Sequence, residues 1–256
     1  MSKVIPRKRF GQHFLTDQTV LDRITDALSP VPDDFVLEIC PGTGVLTDRL
    51  TALLDHLTVV ELDRDLARLL STRYDPGKVT VIQQDVLDFE FATLGSGNGK
   101  KLRVIGNLPY NISTPLMFHL IGSINLVQDM LFMVQKEVAL RLSASPGDKN
   151  YGRLSVMSQL ELNCRILFDV PPESFDPAPQ VNSAVIKLLP EKAAREIKDS
   201  GRIDRVVKSA FAQRRKTLRN ALRDVVSPEQ FDTAEINPGN RAETLSVDDF
   251  IRLANA

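Results

Sequence analysis

The regular alternation of short apolar runs with amphipathic segments between residues 17 and 143 restricts the fold more than any other feature of this sequence. Each apolar run is rich in β-branched residues and ends at turn-forming residues, which is typical of buried strands. The predicted strands are 36–40, 57–62, 79–83, 102–105 and 130–134, and the predicted helices are about 17–28, 45–54, 65–74, 115–121 and 136–143. Such alternation predicts an α/β fold with a mostly parallel, doubly wound, Rossmann-like sheet.

The pattern changes towards the end of the chain. A further helix is predicted at 154–162 and two late strands at 165–170 and 184–189. Between those strands, residues 175–181 contain too much proline to enter the interior of a sheet. After Glu191 the apolar residues recur only at helical spacing. We therefore expect two domains, residues 1–190 with the sheet and residues 191–256 as a small all-helical domain.

Charge is distributed unevenly along a nearly neutral chain. The formal net charge is -1, which argues against a strongly basic nucleic-acid-binding protein. Residues 1–9, however, hold four basic side chains and no acid, and residues 202–223 hold eight basic side chains against Asp204 alone. Two local basic segments indicate contacts with a phosphate backbone. Solvated helix faces are the alternative explanation.

Cysteine and histidine usage indicates no metal site. Cys40 and Cys164 both lie in apolar runs, as buried free thiols of a reducing compartment do. The three histidines, His13, His56 and His119, are far from one another and from both cysteines. We find no secretory signal and no apolar run near the ~20 residues that a membrane span needs. We expect a cytoplasmic protein without a membrane partner.

A glycine loop follows the first predicted sheet strand. Gly42 and Gly44 lack Cβ, so the backbone there can approach a bound nucleoside closely. A dinucleotide-binding loop needs a third glycine, where this chain has Thr47. Glu61 closes the second strand, and a carboxylate at that place can accept both hydroxyls of a ribose. Glu61 serves NAD and S-adenosylmethionine equally well, whereas Thr47 disfavours NAD.

Two further strand ends carry polar residues. Asp85 follows the third strand, where its carboxylate can accept from an adenine amino group, although it can equally cap a helix. Asn107-Leu108-Pro109-Tyr110 follows the fourth strand. Its amide oxygen and freed carbonyls can accept an exocyclic amine, and its aromatic ring can stack on a flat base. An ordinary strand-to-helix loop is the alternative. Together the four strand ends favour an S-adenosylmethionine pocket beside an acceptor site.

With these residues in place, the sequence closely resembles the small-subunit (16S) rRNA adenine N6,N6-dimethyltransferases, the dimethyladenosine transferase family whose loss gives kasugamycin resistance in bacteria. The resemblance covers nearly the whole chain. It is carried by Phe10–Leu15, Leu37–Gly44, Val60–Asp63, Gln84-Asp85, Gly106–Thr114, Val134–Val138, Phe175–Ser183, Phe211–Leu218 and Arg241–Glu243. It implies a Rossmann-like S-adenosylmethionine-dependent methyltransferase that dimethylates two adjacent adenosines near the 3′ end of 16S rRNA, late in small-subunit biogenesis. The expected partner is the small-subunit precursor, and the expected state is a monomer.

The resemblance also implies roles for individual residues. The cofactor contacts it implies are His13, Leu15, Cys40, Gly42, Glu61, Leu62, Asp85, Val86 and Asn107. The catalytic residues it implies are Asn107, Leu108, Pro109 and Tyr110. Tyr110 and Phe175 are expected to hold the unstacked target base, and Arg214, Arg215, Lys216 and Arg219 to hold RNA phosphates. The family usually has Asn in place of His13 and Gly in place of Cys40, and we expect these two departures to alter cofactor affinity rather than abolish the site.

Three other functions are compatible with parts of the pattern. A large-subunit rRNA methyltransferase of the macrolide-resistance group uses the same chemistry, but its members more often have Ile in place of Leu108. A non-catalytic ribosome-assembly factor would use the fold only to bind RNA. An NAD-dependent oxidoreductase is disfavoured by Thr47 and by the lack of hydride-transfer residues.

Overall fold

A computed structural model describes residues 12–95, 99–191, 193, 196–213 and 215–256. The strands are β1 (Phe14–Leu15), β2 (Val36–Ile39), β3 (Leu57–Glu61), β4 (Val79–Gln83), β5 (Leu102–Asn107), β6 (Val127–Gln135), β7 (Leu162–Val170), β8 (Phe175–Asp176) and β9 (Ser183–Pro190). The helices are α1 (Gln18–Leu28), α2 (Val45–Thr51), α3 (Arg64–Arg73), α4 (Ser113–Gly122), α5 (Lys136–Leu142), α6 (Arg153–Gln159), α7 (Ser200–Ala212), α8 (Leu218–Ala221), α9 (Pro228–Thr233) and α10 (Val247–Asn255).

Within the described residues, the main sheet has the strand order β4-β3-β2-β5-β6-β9-β7. The first five strands in that order are parallel, and β9 runs antiparallel to β6. The α/β class and the parallel core predicted from the alternation are confirmed. Because β2 and β5 lie side by side in parallel, the segments that follow them meet at one edge of the sheet, where open α/β sheets bind ligands.

Gly106 allows β5 to approach β2 closely. A Cβ atom at Gly106 would lie 2.4 Å from the Ile39 carbonyl oxygen, a distance that no side chain tolerates. Gly106 pairs with Ile39 in the parallel register between these strands. This close approach brings the residues after Ile39 and the residues after Gly106 to adjacent positions at the ligand-binding edge.

Arg103, near the start of β5, is the centre of a buried ion-pair network. Its guanidinium contacts both carboxylate oxygens of Asp129 at 2.8 Å, Asp34 at 2.7 Å and the Leu28 carbonyl at 2.6 Å. These hydrogen bonds, led by those to Asp129, raise the pKa of Arg103 further above its usual value. The network joins β5, β6, the end of α1 and the turn before β2.

A separate two-stranded sheet was not predicted. β1 pairs antiparallel with β8, with Leu15 opposite Phe175. The prediction that the proline-rich segment stays out of the main sheet is confirmed, because β8 pairs only with β1. Two-residue strands leave no periodicity for a sequence pattern to reveal. The pairing brings residues 12–15 to the carboxyl ends of the main strands.

The described chain divides into two compact units, residues 1–139 with 165–190 and residues 140–164 with 191–256. The boundary predicted at residue 190 is therefore incomplete, since it assigned 140–164 to the first domain. The buried side chains of Tyr151, Val156 and Leu160 belong to the same apolar core as Ile203 and Phe250. The helix predicted at 154–162 also ends earlier, at Gln159, and β7 begins at Leu162.

Two features are absent from the part of the chain that the structure describes. No helix there has both the length and the apolar character that crossing a bilayer requires. No group of three or more His, Cys, Asp or Glu side chains in that part of the chain is arranged to hold a metal ion.

Candidate active site

A cavity in the first unit lies at the carboxyl ends of β2, β3, β4 and β5. Every residue that the resemblance implied for cofactor binding or catalysis lines it: His13, Leu15, Cys40, Gly42, Glu61, Leu62, Asp85, Val86, Asn107, Leu108, Pro109 and Tyr110. The cavity also includes residues to which no role was assigned, among them Phe14 and Glu38.

The loop after β2 has left-handed backbone at three positions. Cys40, Gly42 and Gly44 have φ values of +56°, +59° and +84°. Such a φ costs a residue with a Cβ roughly 1–2 kcal/mol, which explains why glycine is favoured there. A Cβ at Gly42 would lie 3.2 Å from the Phe14 ring, so the missing side chain leaves room for the ring. Cys40 adopts this conformation with a side chain.

Glu61 organises the same loop through both of its carboxylate oxygens. Oε2 accepts from the Gly42 amide at 3.1 Å, and Oε1 accepts from the Asp63 amide at 2.8 Å. Burial raises the pKa of Glu61, and these backbone hydrogen bonds oppose that rise. Each oxygen keeps a lone pair after its backbone bond, so the carboxylate can also accept hydroxyl groups from a bound ribose.

Glu38 is a buried acid of the cavity that sequence reasoning left without a role. Its side chain is 1 % exposed, and Thr47 Oγ1 donates to its Oε2 at 2.7 Å. Burial is the main cause that raises the pKa of Glu38 to about 8, so the carboxyl group is mostly protonated at neutral pH. A lone acid inside the apolar run of β2 was the sequence signal for this group.

Asp85 caps a helix, which is one of the two interpretations that its sequence position left open. Its Oδ1 accepts from the Leu87 amide at 2.9 Å and caps the short 3₁₀ helix Val86–Asp88. The residue also lines the cavity. A carboxylate has a second oxygen, so capping the turn leaves Oδ2 able to accept from a ligand.

The side-chain amide of Asn107 has a defined orientation. Its Nδ2 donates to the His13 carbonyl at 3.0 Å. Because a carbonyl only accepts, the amide nitrogen must face His13, and Oδ1 is the end left without a partner among the described residues. The amide therefore presents an acceptor on the side of Asn107 that does not face His13.

The carbonyls after Asn107 differ in availability. The Pro109 carbonyl already accepts from the Ile112 amide and from Ser113 Oγ, both at 3.1 Å. The Leu108 amide donates to the Met133 carbonyl, and the Leu108 carbonyl has no donor among the described residues. Of these two carbonyls, the structure leaves that of Leu108 available as an acceptor.

Tyr110 is held at both ends of its side chain. Its hydroxyl shares a hydrogen bond of 2.9 Å with Ser183 Oγ. The His13 ring stacks on its ring with 5.5 Å between centroids and 26° between planes. His13 Nδ1 in turn donates to the Pro177 carbonyl at 2.7 Å. One face of Tyr110 is thus covered by His13, and the residue lines the cavity.

The role predicted for Phe175 stays a prediction. Phe175 is 5 % exposed, pairs with Leu15 and belongs to the apolar core of the first unit, and it does not line the cavity. Among the predicted RNA contacts, Arg214 lies outside the described residues, whereas Arg215, Lys216 and Arg219 are exposed in the second unit.

Comparison with known proteins gives consistent matches. The sequence matches the family "Ribosomal RNA adenine dimethylase" over residues 5–256. It is 50% identical over 256 residues to ribosomal RNA small subunit methyltransferase A of Aromatoleum aromaticum, a match that covers 100% of this chain and 95% of the relative. It is 51% identical to the protein of the same name from Bordetella petrii, covering 100% of this chain and 97% of that one.

Solved structures agree in fold. A dimethyladenosine transferase from Plasmodium falciparum superposes with a TM-score of 0.80 at 26% identity, covering 94% of this chain and 96% of that one. The 23S rRNA methyltransferase ErmE superposes with a TM-score of 0.73 at 23% identity, covering 94% of this chain and 98% of that one. At that identity the likeness to ErmE concerns the fold alone.

Proposed function

The chain belongs to the ribosomal RNA adenine dimethylase family, and we propose from this premise that it dimethylates N6 of two adjacent adenosines near the 3′ end of 16S rRNA, late in small-subunit biogenesis. It is an S-adenosylmethionine-dependent rRNA adenine dimethyltransferase. The observation that carries the proposed chemistry is the orientation of Asn107, whose Nδ2 is held by the His13 carbonyl while Oδ1 stays available.

The residues of the cavity fit S-adenosylmethionine. The space that Gly42 leaves beside the Phe14 ring permits close approach of a ligand to the backbone. Glu61 retains acceptor capacity for ribose hydroxyls, and Asp85 Oδ2 retains it for an adenine amino group. Leu15, Leu62 and Val86 supply apolar contacts from the same cavity wall. When bound, the cofactor supplies a methyl group on a positively charged sulfur.

Asn107 and Leu108 prepare the target amine. The N6 lone pair of adenine is delocalised into the ring and is a poor nucleophile. Asn107 Oδ1 and the Leu108 carbonyl accept the two amino hydrogens, which favours a pyramidal nitrogen with a localised lone pair and stabilises the positive charge that develops on it. Pro109 restricts its own φ and the conformation of Leu108, so little entropy is lost when the acceptors engage.

Tyr110 binds the face of the base. The target adenosine must leave its stack to enter the cavity. The Tyr110 face not covered by His13 offers a stacking platform, worth ~1–3 kcal/mol for an unpaired base. After the first transfer one N–H remains, so the acceptors must tolerate rotation about the C6–N6 bond before the second. The proton lost from nitrogen is strongly acidic and can leave to water.

The second unit supplies a surface suited to RNA phosphates. Among the described residues, its exposed basic side chains that form no ion pair include Arg205, Lys208, Arg215, Lys216 and Arg219. Unpaired cations at a surface gain most from binding phosphate, because no existing ion pair has to be broken. The partner is the small-subunit precursor with its 16S rRNA, and the protein acts as a cytoplasmic monomer.

Replacing Asn107 by alanine tests the proposed function. Small subunits from cells that lack this modification are incubated with enzyme and labelled cofactor, and dimethyladenosine is measured by mass spectrometry. Asn107→Ala is expected to abolish methylation and to leave binding to the subunits near normal, since Asn107 belongs to the first unit and the basic side chains belong to the second. The matched control is Asn125→Ala, an exposed asparagine outside the cavity, which should methylate at the wild-type rate.

Two results would contradict the proposal. The first is methylation of large subunits in preference to small ones, which would favour the large-subunit alternative. The second is an Asn107→Ala variant that methylates small subunits at the wild-type rate, which would remove the proposed role of the amide.

A further inference from the structure

The useful orientation of Asn107 depends on a single acceptor. Among the described residues, the His13 carbonyl is the only partner of the Asn107 amide. If the side-chain amide rotated by about 180°, Oδ1 would face the His13 carbonyl, which is also an acceptor. The NH₂ group would then replace Oδ1 as the end offered to a target amine. A donor at that place cannot hold an amine that itself donates. The position of the His13 backbone therefore decides which end of Asn107 meets the substrate.

The His13 backbone is in turn held by a segment distant in sequence. The pairing of β1 with β8 holds Phe14 and Leu15, and Ser174 holds the next two residues: its carbonyl accepts from the Thr16 amide at 2.8 Å, from Thr16 Oγ1 at 3.1 Å and from the Asp17 amide at 3.3 Å. The Ser174 hydroxyl donates to Asp17 Oδ2 at 3.0 Å. Asp17 Oδ1 meanwhile caps α1 by accepting from the amides of Thr19 and Val20.

These anchoring residues do not belong to the cavity. Thr16, Asp17 and Ser174 are absent from its lining, and Ser174 is only 2 % exposed. The segment that they hold has its other side in the cavity, through His13, Phe14 and Leu15. Any influence of Ser174 or Asp17 on methyl transfer is therefore transmitted through neighbouring elements, of which residues 13–16 include the carbonyl that binds Asn107.

We propose that Ser174 and Asp17 are positioning residues for methyl transfer, which hold residues 13–16 so that the His13 carbonyl keeps Asn107 Oδ1 available to the target amine. The inference rests on the proposed function for the role of Asn107. Removing the Ser174 hydroxyl loosens the anchor without touching the cavity. A hydrogen bond of average strength corresponds to about a five-fold change in population, and we expect kcat to fall by about that factor.

Three variants separate positioning from general destabilisation. Ser174→Ala removes only the hydroxyl. Asp17→Asn is the conservative variant: it keeps an oxygen for the α1 cap and places an N–H towards Ser174 Oγ, which can accept. Ser155→Ala is the matched control, because Ser155 is also a fully buried serine with a hydrogen-bonded hydroxyl, but one that donates to the Arg141 carbonyl in the other unit.

The kinetic result expected is a separation of kcat from KM. Ser174→Ala should lower kcat for small-subunit methylation about five-fold and leave KM for the subunit unchanged. Asp17→Asn should stay within two-fold of wild type, and Ser155→Ala should keep the wild-type kcat even where its unfolding temperature falls. An unchanged kcat in Ser174→Ala, or an equal loss in Ser155→Ala, would overturn the inference.

A second measurement does not depend on activity. Hydrogen exchange of the Asn107 side-chain amide can be followed by NMR in protein labelled at asparagine nitrogen, with the signal assigned by its absence from Asn107→Ala. Exchange should become faster in Ser174→Ala and remain unchanged in Ser155→Ala. If the wild-type enzyme failed to methylate small subunits, the proposed function would fall, while this exchange would still decide whether Ser174 holds the amide.

Discussion

Cys40 has a left-handed backbone, with φ of +56°, although it carries a side chain. Because its amide donates to the Val60 carbonyl, the loop cannot relax without losing a bond between the ends of β2 and β3. Burial raises the pKa of the Cys40 thiol well above its usual value, with Glu61, Asp85 and Glu38 adding to the effect. The thiol is therefore a poor nucleophile. The main physical consequence of having cysteine at this position is strain in the left-handed backbone.

Cys40→Gly is expected to stabilise the protein by roughly 0.5–1 kcal/mol, because relief of the left-handed strain outweighs the added entropy of the unfolded chain. Urea denaturation measures the change, and calorimetry measures the accompanying affinity for S-adenosylmethionine. Cys40→Ala is the control, since it removes the thiol and keeps Cβ. Equal stability of the glycine and alanine variants would show that the backbone at residue 40 is unstrained.

Glu38 makes stability depend on pH. Its pKa is raised from 4.5 to about 8 by burial, so the folded state binds more protons than the unfolded state between these values. Stability is then greatest at low pH within this window and falls as pH rises towards 8, by on the order of 3 kcal/mol between pH 5 and pH 8. Glu38→Gln should flatten this dependence in chemical denaturation at the two pH values. A variant that loses stability as steeply as wild type would contradict the assignment.

At the scale of elements, the repeating patterns of the sequence predicted strands and helices. Contacts between residues far apart in the sequence were not predicted. The strand at 36–40 was predictable because β-branched residues and bounding turns mark it, and β2 differs from it only at its end. The orientation of Asn107 was not predictable, because its partner lies 94 residues away. The pairing of β1 with β8 was missed for the same reason, and with it the burial of Phe175.

Arg103 shows how one side chain can secure several elements. The sequence placed it inside the predicted strand 102–105 and indicated no partner, yet it is buried and binds Asp34, Asp129 and the end of α1. Arg103→Ala is expected to lower the free energy of unfolding by about 3–5 kcal/mol, since it leaves buried carboxylates unpaired. Lys100→Ala, which removes an exposed pair with Asp33, should cost no more than about 1 kcal/mol in the same urea titration. Similar losses of unfolding free energy in both variants would refute the distinction between the buried and the exposed ion pair.

At the scale of the whole molecule, the sequence predicted a helical second unit but did not predict which segments of the chain form it. The amphipathic spacing after residue 191 predicted helices, but an apolar helix face does not say which core it joins. Tyr151 and Leu160 pack in the core of the second unit, although their segment precedes the last strand of the main sheet. Such a discontinuous unit has no signature in local sequence.

The exposed cations of the second unit give a prediction for RNA binding. The double variant Arg215→Ala, Lys216→Ala should reduce the slope of log K against log salt by nearly two, because about one counterion is released for each phosphate contact. Binding to small subunits is measured by filter retention across a salt series. Arg64→Gln with Arg68→Gln, two exposed cations on α3, serves as the control and should keep the wild-type slope. An unchanged slope in the first double variant would place the RNA elsewhere.

The pairing of Phe14 and Leu15 with Phe175 and Asp176 has a consequence in time. During translation, the wall of the cofactor cavity formed by residues 13–15 has no strand to pair with until residue 176 has emerged from the exit tunnel. A nascent chain that already contains the glycine loop and the asparagine is thus still an unfinished enzyme. The cavity wall is complete only when β8, from the second half of the polypeptide, has paired with β1.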